Sequence, residues 1–135
     1  MSRTLAAYAA TLLAMLLLDG LWLGLIARPL YQQGIGHLMA ERPNLLAAGV
    51  FYALYPVGLV VFALLPHAAD PAWRATLLAA ALFGLLAYAT YDLSNLATLR
   101  QWPLGLSLID IAWGTAASVA AAAAGKAVLR YVGPG

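Results

Sequence analysis

The stretch Tyr88-Ala-Thr-Tyr-Asp-Leu-Ser-Asn-Leu-Ala-Thr98 places several polar side chains near the end of a long apolar run. Steps of three and four residues return to one side of an α-helix, so Tyr88, Asp92 and Asn95 share a helical face. A carboxylate on an otherwise apolar helix is costly where lipid is the solvent, and such residues are usually functional. We therefore expect the rest of the chain to pack around this polar stripe.

The composition indicates the class of protein. Of the 135 residues, 64% are hydrophobic and 9% are charged, whereas soluble domains carry about 25% charged residues. So few charges cannot cover a surface that faces water, and the sequence predicts an integral membrane protein with membrane lipids as its partners. The net charge of +2 comes without a clustered basic face, which argues against a nucleic-acid partner. Because the chain has no Cys, disulfides, thiolate catalysis and Cys-ligated zinc are excluded.

Four apolar segments are each long enough to cross a membrane, which takes ~20 helical residues. They cover about residues 5–27, 44–65, 72–99 and 104–128. The first segment is too long for a signal peptide and is interpreted as an uncleaved span. The polar connection after it fits a short interfacial helix or an ordered loop. We expect one all-α domain over residues 1–135, a four-transmembrane-helix bundle with short loops.

An even number of spans puts both termini on the same side of the membrane. Four basic residues fall on that side and three on the other, which favours cytoplasmic termini. Trp73 and Trp102 lie in turns and suit the aromatic belt at the membrane interface. Gly20 and Gly24 are four residues apart, a spacing that lets a neighbouring helix approach closely.

Three carboxylates are predicted to lie at one depth. Asp19 precedes the end of the first span by eight residues, Asp92 precedes the end of the third by seven, and Asp110 follows the start of the fourth by six. At 1.5 Å per residue they lie about 12, 10 and 9 Å below the same membrane face. Tyr52 and Tyr55 of the second span fall at a similar level. We expect the spans to enclose this layer, because exposing three carboxylates to lipid is expensive.

The enclosed layer is a candidate ligand-binding site. Its residues are Asp19, Trp22, Tyr52, Tyr55, Tyr88, Tyr91, Asp92, Asn95, Asp110 and Trp113. Because unneutralised carboxylates repel one another, either protons or a cation must neutralise part of the charge. Asp19, Asp92 and Asp110 are the candidate metal ligands, and their oxygens suit Mg²⁺, Mn²⁺ or Ca²⁺ better than zinc. The sequence assigns no catalytic residue.

Three functions fit this layer. The first is a pocket that binds or transports a small polar ligand, a cation or a lipid head group, with homo-oligomers completing any translocation path. The second is a membrane enzyme that modifies lipids, with one carboxylate as general base and another holding a metal or a developing charge. The third is a structural or accessory subunit in which the polar layer only fixes the register of the helices.

Two motifs carry a resemblance to a known family. Tyr91-Asp-Leu-Ser-Asn95 and Asp110-Ile-Ala-Trp-Gly114, with Trp102-Pro103 between them, resemble a family of small bacterial inner-membrane proteins catalogued as a domain of unknown function. The first-span motif Asp19-Gly-Leu-Trp22 is also similar to that family, and Ser94 stands where Thr is expected. The resemblance covers nearly the whole chain. It implies a four-span protein of the bacterial inner membrane but supplies no activity, substrate or catalytic residue.

Overall fold

The computed structural model describes residues 2–133, which are almost entirely helical. Helix α1 (Ser2–Leu21) continues through a π-helical turn (Trp22–Ile26), and α2 (Arg28–Ile35) is followed by a 3₁₀ turn (Gly36–Leu38). Helix α3 (Leu45–Leu59) continues through a π-helical turn (Val60–Leu64) and a 3₁₀ turn (Leu65–His67). Helices α4 (Arg74–Thr98) and α5 (Leu104–Val132) complete the chain.

Four helical segments among these residues are long and apolar enough to cross a membrane. They are Ser2–Ile26, Leu45–His67, Arg74–Thr98 and Leu104–Val132. The predicted all-α four-helix bundle is therefore confirmed, although the fourth span continues beyond residue 128. Arg3 Nε donates to the carbonyl of Leu129 at 3.3 Å, so both ends of the described chain lie on one side. We call this the terminal side, and the opposite one the cavity side.

Helix α5 is the centre of the bundle and packs against both α1 and α4. Small side chains allow this close approach. Ala121 is fully buried, and a Cβ added at Gly125 would lie 2.4 Å from Thr11 Oγ1. On the other face, a Cβ at Gly84 of α4 would lie 2.7 Å from the carbonyl oxygen of Gly114. The alanine-rich part of α5 thus packs against its neighbours, as such small residues do in membrane bundles.

Two local predictions are wrong. Gly20 and Gly24 meet nothing within 4 Å, because they lie on an outward face of the first span rather than at a helix contact. Trp102 does not lie in an exposed interfacial belt, since its side chain is buried at 8% exposure. The turn before α5 folds the indole inward, where Nε1 donates to Ser107 Oγ at 2.9 Å.

The spans pack differently on the two sides of the bundle. Towards the terminal side, the turn Val60–Leu64 contacts α4 and α5, and Gly58 lies directly against the ring of Phe83. Helix α3, before this turn, contacts α1 but has few contacts with α4. Helix α2 covers the cavity side, and Gly34 packs against the beginning of α5 at Leu106. An internal space remains beneath α2.

Candidate functional site

A cavity of about 490 Å³ occupies this space. Its volume lies within the range of about 300–1,000 Å³ that is usual for small-molecule sites. Nine of the ten candidate residues line it: Asp19, Trp22, Tyr52, Tyr55, Tyr88, Tyr91, Asp92, Asp110 and Trp113. The tenth, Asn95, is half-buried one turn further along α4 and does not line the cavity. The three aspartates thus share one internal space.

Asp19 organises one wall of the cavity. Its Oδ2 accepts a hydrogen bond from the Tyr52 hydroxyl at 2.7 Å, and its Oδ1 accepts one from Trp113 Nε1 at 3.0 Å. The indole of Trp113 stacks on that of Trp22, with ring centroids 4.4 Å apart and planes within 4°. Asp19 therefore connects α1 to α3 and α5 and has a donor for each of its oxygens.

Tyr31 of α2 closes the cavity at the cavity side of the bundle. Its hydroxyl donates to Asp110 Oδ1 at 2.5 Å and accepts from Trp22 Nε1 at 3.1 Å. Burial raises the pKa of the Tyr31 phenol above its ordinary value, and the hydrogen bond to Asp110 raises it further. The phenol therefore stays a hydrogen-bond donor far into the alkaline range. Tyr31 fixes α2 to the bundle.

Asp92 is the most deeply buried acid of the cavity, at 1% exposure. Its carboxyl group lies close to that of Asp110, and the two groups interact electrostatically. Within residues 2–133, Asp92 Oδ2 is the one buried side-chain oxygen or nitrogen without a hydrogen-bond partner. A buried acceptor left in this way costs about 1–3 kcal/mol. The Asp92–Asp110 pair therefore offers an unused acceptor inside the cavity.

The three carboxylates do not converge on one point. Asp19 is engaged by Tyr52 and Trp113, whereas Asp92 faces Asp110. In the described chain no three acidic or histidine side chains stand close enough to hold a metal ion. The carboxylates are thus divided between a wall-forming residue and a carboxyl pair, rather than gathered as one set of metal ligands.

Aromatic rings form most of the remaining wall. Nine of the sixteen lining residues are aromatic, and no lining residue of the described chain is Lys, Arg or His. The sequence reasoning missed seven lining residues: Leu23, Tyr31, Ile35, Phe51, Ala87, Trp102 and Leu106. The irregularly spaced apolar residues after the first span were the only signal for two of them, Tyr31 and Ile35. A cavity with carboxylates, aromatic faces and no base attracts positively charged groups.

The comparison with known families agrees with this architecture. The model of a family described as "Predicted membrane protein (DUF2177)" matches residues 4–127, which is most of the chain. No curated protein and no solved structure shows significant similarity to the chain.

Proposed function

The chain belongs to this family of predicted membrane proteins, and we propose that it binds an organic cation in its cavity. The ligand class is an amine or a quaternary ammonium compound. One observation carries the proposal: Asp92 Oδ2 is buried without a partner in a cavity that is rich in aromatic rings and lacks a basic side chain. A bacterial inner-membrane location with cytoplasmic termini is part of this proposal, supported by the slight excess of basic residues on the terminal side.

The composition of the wall favours an organic cation over a metal ion. Hard metal ions such as Ca²⁺ take six to eight oxygen ligands, and Mg²⁺ demands near-octahedral geometry. Asp19 already accepts one hydrogen bond at each oxygen, whereas the Asp92–Asp110 pair contains an oxygen without a donor. Aromatic faces attract ammonium groups, by ~2 kcal/mol or more when the contact is desolvated. A volume of about 490 Å³ also exceeds that of a single ion.

The lining residues then have separate roles. The Asp92–Asp110 pair receives the positive charge, and Tyr31 orients Asp110 by its hydrogen bond. Asp19 holds the Trp113 indole, whose stacking on Trp22 builds a flat aromatic surface for the alkyl part of the ligand. This arrangement combines charge recognition with an apolar, shape-selective wall, as ligand pockets generally do.

Tryptophan fluorescence can test the proposal on the purified protein in detergent. Three of the four tryptophans line the cavity, and the fourth, Trp73, lies on the terminal side. In a Trp73→Phe background, the emission reports mainly on the cavity. Choline should produce a saturable change, whereas its uncharged isostere 3,3-dimethylbutan-1-ol should produce none. Equal responses to the two compounds, or a saturable response to Mg²⁺ alone, would show the proposal to be wrong.

Acid-to-amide variants identify the carboxylates that carry the binding. The quaternary ammonium of choline has no N–H and interacts with the carboxylates by charge, and two unit charges 4 Å apart attract by ~4 kcal/mol at an effective dielectric constant of about 20. Asp92→Asn should therefore weaken choline binding at least about tenfold. Asp92→Asn combined with Asp110→Asn should abolish binding. The matched control is Asp70→Asn, since the Asp70 side chain is exposed on the terminal side and accepts only a local hydrogen bond, from the backbone N–H of Ala72. Unchanged binding in the double variant would contradict the proposal.

A further inference from the structure

A second, smaller groove adjoins the cavity and brings a positive charge next to it. The groove holds about 240 Å³ and is lined by Leu23, Arg28, Tyr31, Ile35 and Met39. Three of these, including Tyr31, also line the cavity, so the two spaces share a wall. Arg28 therefore lies beside the acidic cavity without lining it. Arginine binds phosphate through two parallel hydrogen bonds, which makes it the preferred residue for that group.

The cavity also reaches the side of the bundle. Phe51 of α3 and Tyr91 of α4 both line it, yet they are 40% and 54% exposed. Phe51 lies six residues after the start of α3 and Tyr91 seven before the end of α4. At 1.5 Å per residue both lie about 10 Å inside the membrane-spanning segments. A surface at that depth faces acyl chains, so the cavity wall at Phe51 and Tyr91 borders the bilayer.

We propose that the ligand is an amine-bearing phospholipid that enters the cavity from the side, an assignment that rests on the proposed function. Its ammonium group binds the Asp92–Asp110 pair, its phosphate binds Arg28, and its acyl chains leave between Phe51 and Tyr91. A zwitterionic head group accounts for both the unpartnered acid and the adjacent arginine. Entry from the side leaves the acyl chains in the bilayer, next to Phe51 and Tyr91. Water-soluble phosphoamines share the head-group chemistry, but they have no acyl chains to occupy this position.

Lipids brominated in their acyl chains provide the test, because bromine quenches tryptophan fluorescence at short range. The Trp73→Phe protein is reconstituted in phosphatidylglycerol nanodiscs that contain about one-tenth brominated phosphatidylethanolamine. We expect several-fold stronger quenching than with the same fraction of brominated phosphatidylglycerol. Glycerophosphoethanolamine at millimolar concentration should not relieve it. Equal quenching by the two lipids, or full relief by the soluble head group, would overturn the phospholipid assignment.

Arg28→Gln separates this inference from the proposed function. The variant should reduce the preference for brominated phosphatidylethanolamine over a brominated long-chain amine, which lacks the phosphate, about tenfold, since it removes a charged partner of the phosphate. Arg42→Gln is the control, because Arg42 lies in the same exposed connection but lines neither space. Choline binding that persists while Arg28→Gln has no effect on the lipid preference would overturn the phospholipid alone. Absence of choline binding in the wild-type protein would overturn both proposals.

Discussion

Lys126, towards the terminal side, and Asp92, towards the cavity side, are both almost completely buried, at 2% and 1% exposure. The Lys126 ammonium donates to the carbonyls of His67 and Asp70 at 3.1 and 2.9 Å, and to Thr76 Oγ1 at 3.4 Å. An ammonium group has three donors, so every one of them is used. We call this group of residues the lysine cluster. It has no capacity left for a ligand.

The Asp92–Asp110 pair lacks this completeness. Asp110 is held by Tyr31, but Asp92 Oδ2 faces no donor in the described chain. Burying a charge costs several kcal/mol unless its hydrogen-bonding capacity is filled. In the lysine cluster every ammonium hydrogen is bonded within the protein, so the cluster stabilises the fold. In the carboxyl pair one acceptor has no hydrogen bond, so part of the cost of burial is not offset. Burial alone therefore does not identify a binding site, whereas unfilled hydrogen-bonding capacity beside a cavity does.

Lys126→Met should give the largest loss of stability. It removes the donor from the Asp70 carbonyl and the Thr76 hydroxyl, and one of two donors from the His67 carbonyl, which should lower the free energy of unfolding by about 3 kcal/mol. Thermal or SDS-induced unfolding followed by circular dichroism measures this. Arg130→Met is the control, since exposed Arg130 makes one 3.3 Å hydrogen bond to the Pro71 carbonyl and a cation–π contact with Trp73, and its loss should change stability by less than about 1 kcal/mol. Equal effects would remove the distinction between the two sides.

Asp19→Asn should show that the cavity contains a structural acid as well. The amide oxygen can still accept from Trp113, and the Tyr52 hydroxyl must then accept from the amide nitrogen, so two hydrogen bonds to a charged group become neutral ones. We expect a loss of about 2 kcal/mol in the free energy of unfolding. The same unfolding assay measures it, and a red shift of the tryptophan emission should accompany it. If stability were unchanged and choline binding fell as in Asp92→Asn, Asp19 would instead belong with the ligand-binding pair.

Tyr31→Phe should have a smaller effect, about 1 kcal/mol, because it removes one hydrogen bond to Asp110 and one acceptor for Trp22. The pKa of Tyr31 is raised above its ordinary value of 10.0, so the stabilisation by the neutral phenol is fully present below pH 10. It is lost as the pH rises further. The difference in stability between wild type and Tyr31→Phe should therefore stay constant between about pH 6 and pH 9 and shrink above about pH 10. A difference that grew with pH would contradict this linkage.

The helices and the depth of the aspartates could be predicted from the sequence because both follow from local geometry. A fixed rise per residue and an apolar composition decide where each span begins and how deep Asp19, Asp92 and Asp110 lie. Tyr88 and Asp92, which share a face of α4, both line the cavity. Asn95 lies on the same face but does not line the cavity, because it is one turn further along the helix.

The parts of the site that were missed depend on how the chain turns between helices. Tyr31 enters the cavity because α2 folds back over the bundle and Gly34 packs against Leu106. Trp102 is buried because its indole finds Ser107. Neither contact has a periodic signal in the sequence. The different hydrogen bonding of Asp19 and Asp92 could not be predicted either, since both are single acids in apolar spans and only their hydrogen-bond partners distinguish them.

Asp92→Asn should change stability least and in the opposite direction. The amide nitrogen of Asn can donate to Asp110, so the variant replaces two facing carboxyl groups by a donor–acceptor pair. We expect the free energy of unfolding to rise by about 0.5 kcal/mol, while choline binding falls at least about tenfold. Residues kept for binding commonly show this exchange between stability and function.

The unfolding assay used for Lys126→Met also measures this change, with Asp70→Asn as the control that alters neither property. Lys126→Met and Asp92→Asn should change the free energy of unfolding in opposite directions because of their partners. Lys126→Met removes a donor from three acceptors, whereas Asp92→Asn supplies a donor to Asp110. A loss of about 2 kcal/mol or more in Asp92→Asn would place Asp92 with Lys126 as a structural group. The Asp92 carboxylate would then not be the centre of a binding site.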